Sequence, residues 1–517
     1  MKQKKHEKVT FKNYQMNQLH LPTDLEVHIL PNHLVRVVND AVERMNIEPL
    51  LQRYKGGGTS SFHPKMMLKV LIYAYTEKIY SSRQIAKALR ENIYFMWISG
   101  NNTPNFRTIN RFRSSTMKGI IDEIFRSVLE LLIEEGYVQL ENYFLDGTKI
   151  EANANRYSYV WKKNVERNKT QLQTKINELL VEIERINDAE NEKYGDQDLE
   201  EIGNETGIDP EKLEAKIKEL DQRLAGTKNT KLSSRIKKLK KEHLPRLQRY
   251  HIQGQLLGKR NSFSKTDPDA TFMRTKEDHL KNSQLKPCYN VQIGTENQFV
   301  LGYSIHQKAA DTPCFIPHFK KGEAQGIIPK NIITDAGYGS EENYEHLNEH
   351  CIGNYAKYST FHQEQQKKRS KFIYDDFKFN PEQDEFTCPN GKKLTFLRAY
   401  EDENKTGYKV NYRIYESEDC TNCPLRDKCT RSDGNRKLHV NFRWQELKDL
   451  ARSNLCSEKG ISLRSKRSIE PESVFGMIKY NRSFRRFMLR GIEKVNVEWG
   501  LICIAHNLIK MTAMTGK

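Results

Sequence analysis

Long hydrophobic runs are missing from this sequence. No stretch approaches the roughly 18 consecutive apolar residues that a membrane-spanning helix needs, so we expect no membrane partner. The first residues, MKQKKHEKVTFKNYQ, are charged and contain no apolar segment of the kind that directs secretion. These absences predict a cytoplasmic protein.

Cysteines are few and odd in number, with nine among 517 residues. A disulfide framework is typical of a short secreted chain with an even number of cysteines, and this chain meets none of those conditions. The cysteines are therefore expected to be free thiols or metal ligands in a reducing compartment.

Acidic residues are in the minority. The chain has 85 Lys and Arg against 67 Asp and Glu, which gives a formal net charge of +18. Basic side chains that meet phosphates release condensed counterions, so an excess of this size favours a nucleic-acid partner. The alternative is a basic protein whose charge only keeps it in solution.

The chain is too long for one ordinary hydrophobic core, so several structural units are expected. Residues 1–137 are predicted to form a helical domain, and strand patterns appear at 138–159 and 260–357. Within the second range, Tyr289–Ile293 and Phe299–Ile305 flank the turn Thr295–Asn297, which predicts a hairpin. Helical patterns return at 461–517, where the apolar run from Trp499 to Ile509 predicts a buried helix. This order predicts an α/β core with insertions at 160–259 and 358–460.

The first insertion, residues 160–259, has apolar residues at alternating spacings of four and three. One series runs from Leu172 to Ile186 and another from Leu213 to Leu224. This spacing is typical of a coiled-coil hairpin, with a polar turn near Asp188 to Asp209. The hairpin is either a structural arm or a surface for a partner.

The second insertion, residues 358–460, is polar and has little regular periodicity, but it contains a group of cysteines. They are Cys388, Cys420, Cys423 and Cys429. Four thiolates would close a structural Zn²⁺ site and staple a segment too polar to fold on its own core. Only Cys420 and Cys423 form a CxxC pair, so ordinary reduced cysteines are the alternative.

The N-terminal domain contains a pattern typical of DNA-binding helices. A short helix capped by Ser81 precedes a break at Gly100–Pro104, and a basic helix follows from Asn105 to Arg113. In a helix-turn-helix module the second helix enters the major groove of DNA. The alternative is a plain helical bundle with a solvated basic face. The side chains expected to face DNA are Arg107, Arg111 and Arg113.

Two aspartates follow apolar strand patterns. Asp146 follows Tyr143-Phe144-Leu145, and Asp335 follows Ile332-Ile333-Thr334, with small residues next in each case. An α/β fold presents metal ligands at such strand ends, although a single Asp before Gly is more often a turn residue. Carboxylate oxygens are the ligands that hard divalent cations prefer.

A third carboxylate on a helix would complete a site for two cations, and Glu472 is the best candidate. By the 3.6-residue period it shares one helical face with Gly476 and Lys479. Val474 and Ile478 lie toward another side, where they can pack on the sheet. Glu470 is the alternative third ligand.

In their joint order these motifs resemble the DDE transposases of the IS4/IS5 superfamily, most closely the IS1182 family. The matching segments are Asp146–Asn155, Lys265–Phe272, Asp335–Tyr338, Glu472-x6-Lys479 and Phe484–Phe487. The resemblance covers nearly the whole chain and implies an RNase H-like catalytic core. It implies that Asp146, Asp335 and Glu472 hold two Mg²⁺ ions, for which Mn²⁺ can substitute. Lys479 would contact a phosphate near the scissile bond.

The resemblance also implies a reaction and its partners. Water would be the nucleophile for DNA cleavage and the freed 3′-OH the nucleophile for strand transfer. The partners would be double-stranded DNA, as the element's terminal inverted repeats and as target, and further copies of the chain in a homo-oligomer at the nucleoid. Two other functions stay open. One is a DNA-binding protein without catalysis, and the other is a nuclease of the same fold that only hydrolyses DNA.

The sequence departs from the superfamily pattern just before Glu472. Where that pattern has Arg and Tyr, this chain has Ser468 and Ser465. Arg464 and Arg467 lie close by but out of register, and we expect them to bind phosphates instead.

The run from Lys479 to Phe487 interleaves cations with aromatic residues, as DNA-binding segments do. It adds Arg482, Arg485 and Arg486 to the expected DNA contacts, while Tyr480 and Phe484 either pack or stack on bases. Asp267 and Asp269 also match the family, but their Thr-Asp-Pro-Asp setting predicts a turn or cap and not metal ligands.

Overall fold

The computed structural model describes residues 24–54, 61–194, 208–224, 230–275, 284–366, 372–404 and 406–515. The charged first residues discussed above lie outside these ranges. The fold is mixed α/β and begins with helices, as predicted. No helix within the described ranges is long and apolar enough to cross a membrane.

The N-terminal helices are α1 (Leu34–Arg44), α2 (Glu48–Leu51), α3 (Pro64–Thr76), α4 (Ser82–Glu91), α5 (Ile93–Ile98), α6 (Phe106–Arg111) and α7 (Ile121–Glu134).

The helix-turn-helix prediction is wrong, because its two helices are separated in the chain by a third helix. Helices α4 and α6 contact each other, but α5 lies between them in the chain, so no single turn joins them. Helix α6 starts where predicted, because the Asn105 side chain accepts the Thr108 N–H at 2.9 Å and caps the first turn. Arg107 and Arg111 are exposed on α6.

Arg113 does not face DNA, contrary to the prediction. After α6 the chain continues as a π-helical turn, Phe112–Thr116, and Arg113 points into the protein with 3% exposure. Its guanidinium donates to the Tyr75 hydroxyl at 3.0 Å and to the Tyr80 carbonyl at 2.6 Å. Arg113 therefore ties the N-terminal helices together.

The segment after β1 (Asn142–Glu151) folds as a helical bundle with its own hydrophobic core. Both predicted apolar series lie in helices, but two further helices pack on them, so the bundle is not a two-helix hairpin. The predicted polar turn includes residues 195–207, which lie outside the described residues. The helices are α8 (Lys162–Tyr194), α9 (Pro210–Leu224), α10 (Thr230–Lys238) and α11 (Leu244–Leu257).

A mixed six-stranded sheet forms the centre of the fold. In it β1 is antiparallel to β5 and parallel to β7, and β7 is parallel to β8. Strands β4 and β6 pair with β5. The new strands are β4 (Thr271–Arg274), β5 (Leu285–Glu296), β6 (Phe299–His306), β7 (Asn331–Thr334) and β8 (Gly353–Ala356), with β2 (Tyr159–Trp161) and β3 (Ser262–Ser264) as a separate pair. The helices alongside are α12 (Phe315–Glu323), α13 (Glu341–Glu349) and α14 (Phe361–Gln365).

The predicted hairpin of β5 and β6 is confirmed, with longer strands and the turn at Asn297–Gln298. Both turn residues have positive φ, 51° and 63°, as tight hairpin turns require. Glu296 beside the turn is 6% exposed and accepts four backbone N–H groups of residues 139–142 at 2.7–2.8 Å. It thereby fixes the chain that enters β1.

The cysteine-containing segment has a sheet and a core of its own, which its polar sequence did not indicate. The five strands are antiparallel in the order β13-β12-β11-β10-β9. Phe386, Leu394 and Tyr415 lie in its core and are fully buried. The elements are β9 (Lys378–Asn380), β10 (Glu385–Thr387), β11 (Lys393–Glu403), β12 (Lys409–Ser417), α15 (Arg426–Cys429) and β13 (Lys437–Val440).

The last helices are α16 (Phe442–Cys456), α17 (Glu458–Lys466), α18 (Pro471–Gly476) and α19 (Ile492–Thr515). Helix α19 is the predicted buried helix, and its residues 497–508 are buried on every side because α3, α7 and β6 surround them. The helical pattern predicted for 461–517 is interrupted, because residues 483–490 contain no helix.

Arg482, in the segment before α19, is a second correction to the predicted DNA contacts. It is 5% exposed and donates to the carbonyls of Tyr75 and Thr76 at the end of α3. Phe484 is also buried and packs on Trp499, so only Tyr480 of the two aromatic residues is open to solvent.

Glu498 on α19 is fully buried and accepts the N–H groups of Met488 and Leu489. Burial raises the pKa of its carboxyl from 4.5 to about 7, although Arg113 attracts the charged form. The folded chain thus keeps a proton that the unfolded chain releases in this range. The free energy of unfolding therefore falls as the pH rises from 4.5 to about 7.

We expect Glu498→Gln to remove this loss. Relative to the wild type, the variant should gain up to about 3 kcal/mol in unfolding free energy between about pH 5 and about pH 8. Thermal unfolding at both pH values measures the gain as a higher Tm that is larger at the higher pH. Glu134→Gln, at an exposed position of α7, is the control. A Tm difference that does not change with pH would contradict the titration of a buried carboxyl.

Candidate active site

The two predicted aspartates lie side by side because of how their strands pair. The last register pair of β1 with β7 is Phe144 with Ile333, and Asp146 and Asp335 each come two residues later. Strand β7 ends at Thr334, whereas β1 continues along β5 to Glu151. Contrary to the prediction, Asp146 does not end its own strand. It lies within β1, at the level where the neighbouring strand β7 ends.

Gly147 follows Asp146 because the neighbouring strand leaves no room for a side chain. A Cβ at this position would clash with the Gln292 carboxamide and lie 2.8 Å from Oδ1 of Asp311. Gln292 donates to Asp311 at 3.0 Å and accepts from the Tyr338 hydroxyl. These bonds join β5 to Asp311 and to the loop that carries Asp335.

Glu472 is the third acidic residue at this place. It lies in the first turn of α18, which contacts β1 and β5, and Val474 and Ile478 are buried as predicted. Glu470 is directed elsewhere: it is 8% exposed and accepts the Gln298 N–H at the hairpin turn at 2.7 Å. The structure therefore favours Glu472 over Glu470 as the third member.

One guanidinium joins the three acidic side chains. Nη2 of Arg467 lies 3.3 Å from Oδ1 of Asp146 and 3.5 Å from Oδ2 of Asp335. Its Nη1 lies 3.3 Å from Oε1 of Glu472. Sequence patterns place Arg467 among the phosphate-binding residues, but in this structure its positive charge balances the acidic cluster.

The three side chains of the acidic cluster differ in their exposure to solvent. Asp146 is 17% exposed, Asp335 44% and Glu472 52%. Burial raises the pKa of Asp146 to about 6, Arg467 opposes this rise, and the other two carboxylates add to it. Like charges this close repel one another, so the cluster requires a positive charge among its oxygens.

Lys479 reaches the same strand as Asp146. It is 7% exposed, and its ammonium donates to the Thr148 hydroxyl at 2.6 Å. The chain after α18 becomes a π-helical turn, Met477–Asn481, so the predicted 3.6-residue period does not hold between Glu472 and Lys479. Lys479 is placed beside the acidic cluster by this turn.

Lys357 is a basic residue of this region that sequence patterns did not indicate. It follows β8 at the same sheet edge where Asp335 follows β7. Burial lowers the pKa of its ammonium, Arg467 and Arg464 lower it further, and Asp335 opposes them. Lys357 was missed because β8 was not predicted. The strand sequence Gly-Asn-Tyr-Ala has no β-branched residue and no alternation of apolar and polar residues.

The remaining predicted DNA contacts differ in their surroundings. Arg464 lies over the Phe361 ring, 5.1 Å from its centroid. Arg485 is exposed and lies 5.0 Å from the centroid of the Tyr480 ring. Arg486 is exposed as well, but its guanidinium donates to two backbone carbonyls in the segment after β1.

Asp267 and Asp269 act as the predicted turn and cap residues. Asp267 accepts the Tyr289 hydroxyl at 2.9 Å and the Gly491 N–H at 3.1 Å. Asp269 accepts the Ile492 N–H at 2.9 Å. Both carboxylates hold the start of α19.

The four predicted zinc ligands line one pocket of the five-stranded unit. Cys388 follows β10, Cys420 and Cys423 follow β12, and Cys429 ends α15. The backbone N–H of Arg436 donates to the sulfur of Cys420 at 3.4 Å. None of the four thiols is in a disulfide.

Two segments match known protein families. Residues 23–115 match the family model described as Transposase domain (DUF772), and residues 387–512 match the one described as Transposase DDE domain. These matches indicate a DDE-type transposase. The transposase acts on DNA, and its DDE domain implies an RNase H-like core. No curated protein sequence matches the chain.

The acidic cluster of the transposase suits a hard divalent cation. Its three side chains offer only oxygen atoms, which Mg²⁺ prefers, and all of them already contact one positive group. DDE transposases generally use divalent metal ions, and this donor set fits that use.

We expect Arg467→Ala to bind Mn²⁺ more tightly than the wild type when DNA is absent. The guanidinium contacts the same carboxylates that would bind the ion, so its removal should lower the Kd by about tenfold, equivalent to about 1.4 kcal/mol. Isothermal titration calorimetry measures this, with Arg464→Ala as the control. Unchanged or weaker Mn²⁺ binding would show that the guanidinium and the metal do not share the site.

Proposed function

We propose that the transposase catalyses Mg²⁺-dependent cleavage at the ends of its own element and then joins the freed ends to target DNA. The observation that carries this proposal is that the carboxylates of Asp146, Asp335 and Glu472 all contact one cation, the guanidinium of Arg467. The chain as a whole is basic, as a DNA-binding protein would be. When bound, a pair of Mg²⁺ ions would activate the attacking hydroxyl and stabilise the leaving oxygen.

Each residue of the cluster has a place in this proposal. Asp146, the most buried of the three acids, would be shared between the metal positions, with Asp335 and Glu472 on either side. Lys479 is held beside Asp146 by Thr148 and would contact a phosphate near the scissile bond. Because the nucleophile is water or a 3′-OH, no side chain has to form a bond to DNA.

Exposed basic side chains support DNA binding beyond the cluster. Arg107 and Arg111 on α6 would contact the terminal inverted repeats, and the exposed Arg485 and Arg486, with the half-buried Arg464, would contact the backbone near the cleavage point. In this proposal the protein is a member of the IS1182 family. It would act as a homo-oligomer on paired ends, at the nucleoid in the cytoplasm. The helical bundle and the cysteine-containing sheet would then be insertions into the RNase H-like core.

Cleavage of a duplex that carries the element's end tests the assignment. With Mg²⁺ present, we expect cleavage to fall at least about a thousandfold in Asp146→Asn, Asp335→Asn and Glu472→Gln, because each substitution removes a metal ligand. Glu470→Gln is the matched control and should retain cleavage, since Glu470 binds the hairpin turn. Wild-type activity in the three variants would refute the assigned cluster.

The same assay separates the alternative functions. A transposase joins a labelled 3′ end to a second duplex, whereas a nuclease of the same fold releases that end without joining it. Specific binding of the end by the wild type, without any cleavage, would instead support a DNA-binding protein without catalysis.

We also propose that the cysteine pocket binds one structural Zn²⁺. Cys388, Cys420, Cys423 and Cys429 come from different parts of the five-stranded unit, so one ion would join them. The donation from the Arg436 N–H to Cys420 would support a thiolate there.

Cys420→Ser should lower the zinc content of the purified protein by one ion per chain. It should also lower the Tm, because the ion stabilises the folded state only. Elemental analysis and thermal unfolding measure both effects. Cys456→Ser, at an exposed thiol outside the pocket, is the control. Equal zinc content in both variants would exclude the pocket as the site.

A further inference from the structure

The end of helix α13 carries a group of metal-binding side chains that has no part in the acidic cluster. Among the described residues, His346, Glu349 and His350 are a group whose ligand atoms all lie within 4.8 Å of one another. The two histidines are four residues apart and therefore lie on one face of the helix end. Their ring centroids are 4.2 Å apart.

One imidazole nitrogen in this group is buried and has no partner. His346 is 8% exposed, and its Nε2 makes no hydrogen bond. A buried polar atom of this kind costs free energy unless something satisfies it. Phe319 of α12 packs edge-on against both imidazoles, with ring centroids 5.1 Å from His346 and 5.6 Å from His350. This packing fixes both rings in place.

The second imidazole has the arrangement typical of a metal ligand. Nδ1 of His350 lies 2.7 Å from the His346 carbonyl oxygen and donates there, as the outer nitrogen of a metal-binding imidazole commonly does. Nε2 of His350 lies 3.3 Å from Oε1 of Glu323, at the end of α12. Either a proton on Nε2 or a cation between the two atoms holds this pair together. Ligands of a tetrahedral ion with bonds of about 2.1 Å lie about 3.4 Å apart, close to this separation.

We propose that His346, Glu349 and His350 of α13, with Glu323 of α12, bind one divalent transition-metal ion, for which Zn²⁺ is the best fit. Imidazole nitrogen with carboxylate oxygen is a donor set that Zn²⁺ accepts, whereas Mg²⁺ prefers oxygen alone. The ion clips the end of α12 to the end of α13. Since α13 follows the loop of Asp335, the clip fixes that loop from the far end of the helix and takes no part in the chemistry.

Metal binding to the full-length protein, first stripped with a chelator, tests the clip. Co²⁺ serves as the spectroscopic probe, in proteins that all carry Asp146→Asn so that the acidic cluster does not contribute a second sulfur-free site. A site of imidazole and carboxylate gives no sulfur-to-metal charge-transfer band, whereas the cysteine pocket gives one. We expect His350→Gln and Glu323→Gln each to weaken the sulfur-free site more than about tenfold, as loss of a ligand does. The charge-transfer band should stay unchanged. His362→Gln, at an exposed histidine on α14, is the matched control and should bind like the wild type.

Thermal unfolding gives a second readout. Zn²⁺ should raise the Tm of the wild type and of His362→Gln, and raise it less in the two ligand variants. His350 is exposed and Glu323 half-buried, so neither substitution disturbs a core. If all four proteins bind Co²⁺ equally and respond equally to Zn²⁺, His350 and Glu323 form only an ion pair and the proposal is wrong.

Discussion

Mutual repulsion among three carboxylates is the constraint on which the rest of this structure depends. A sheet with parallel strands next to antiparallel ones brings Asp146 and Asp335 together, and α18 adds Glu472 from outside the sheet. Such a cluster is stable only with a cation among its oxygens. Arg467 supplies that charge here, strand pairing holds β1 to β7, and the bond between Gln292 and Tyr338 holds the Asp335 loop to β5.

The surrounding units are built on separate cores, and this explains how one site can carry large additions. The helical bundle and the five-stranded sheet each have their own hydrophobic cluster, distinct from the one shared by the N-terminal helices, the central sheet and α19. A segment that buries its own apolar side chains does not need the central core for stability. The acidic cluster can therefore keep its geometry while these segments carry other tasks.

Asp335 after β7, the hairpin of β5 and β6 and the buried α19 could be predicted because apolar patterning alone determines them. The apolar run before Asp146 predicted a strand there, but not that β1 continues beyond Asp146. The burial of Arg113 and Arg482 could not be predicted, because a charge pattern does not reveal whether buried carbonyl groups are placed to accept hydrogen bonds from a guanidinium. The five-stranded sheet escaped prediction because most residues of β11 are exposed and polar. The central role of Arg467 depends on the path of the turn before α18, which no local pattern encodes.

The position of α19 has a consequence for damaged copies of this protein. Helices α3 and α7 bury apolar faces against α19, and the carbonyls at the end of α3 bind Arg482 just before it. A chain interrupted before Ile492 would leave those faces open to water and the N-terminal helices without their central support. Such a fragment is expected to aggregate or be degraded. Late frameshifts would then yield no folded product, and not an inactive fragment that competes with the intact enzyme.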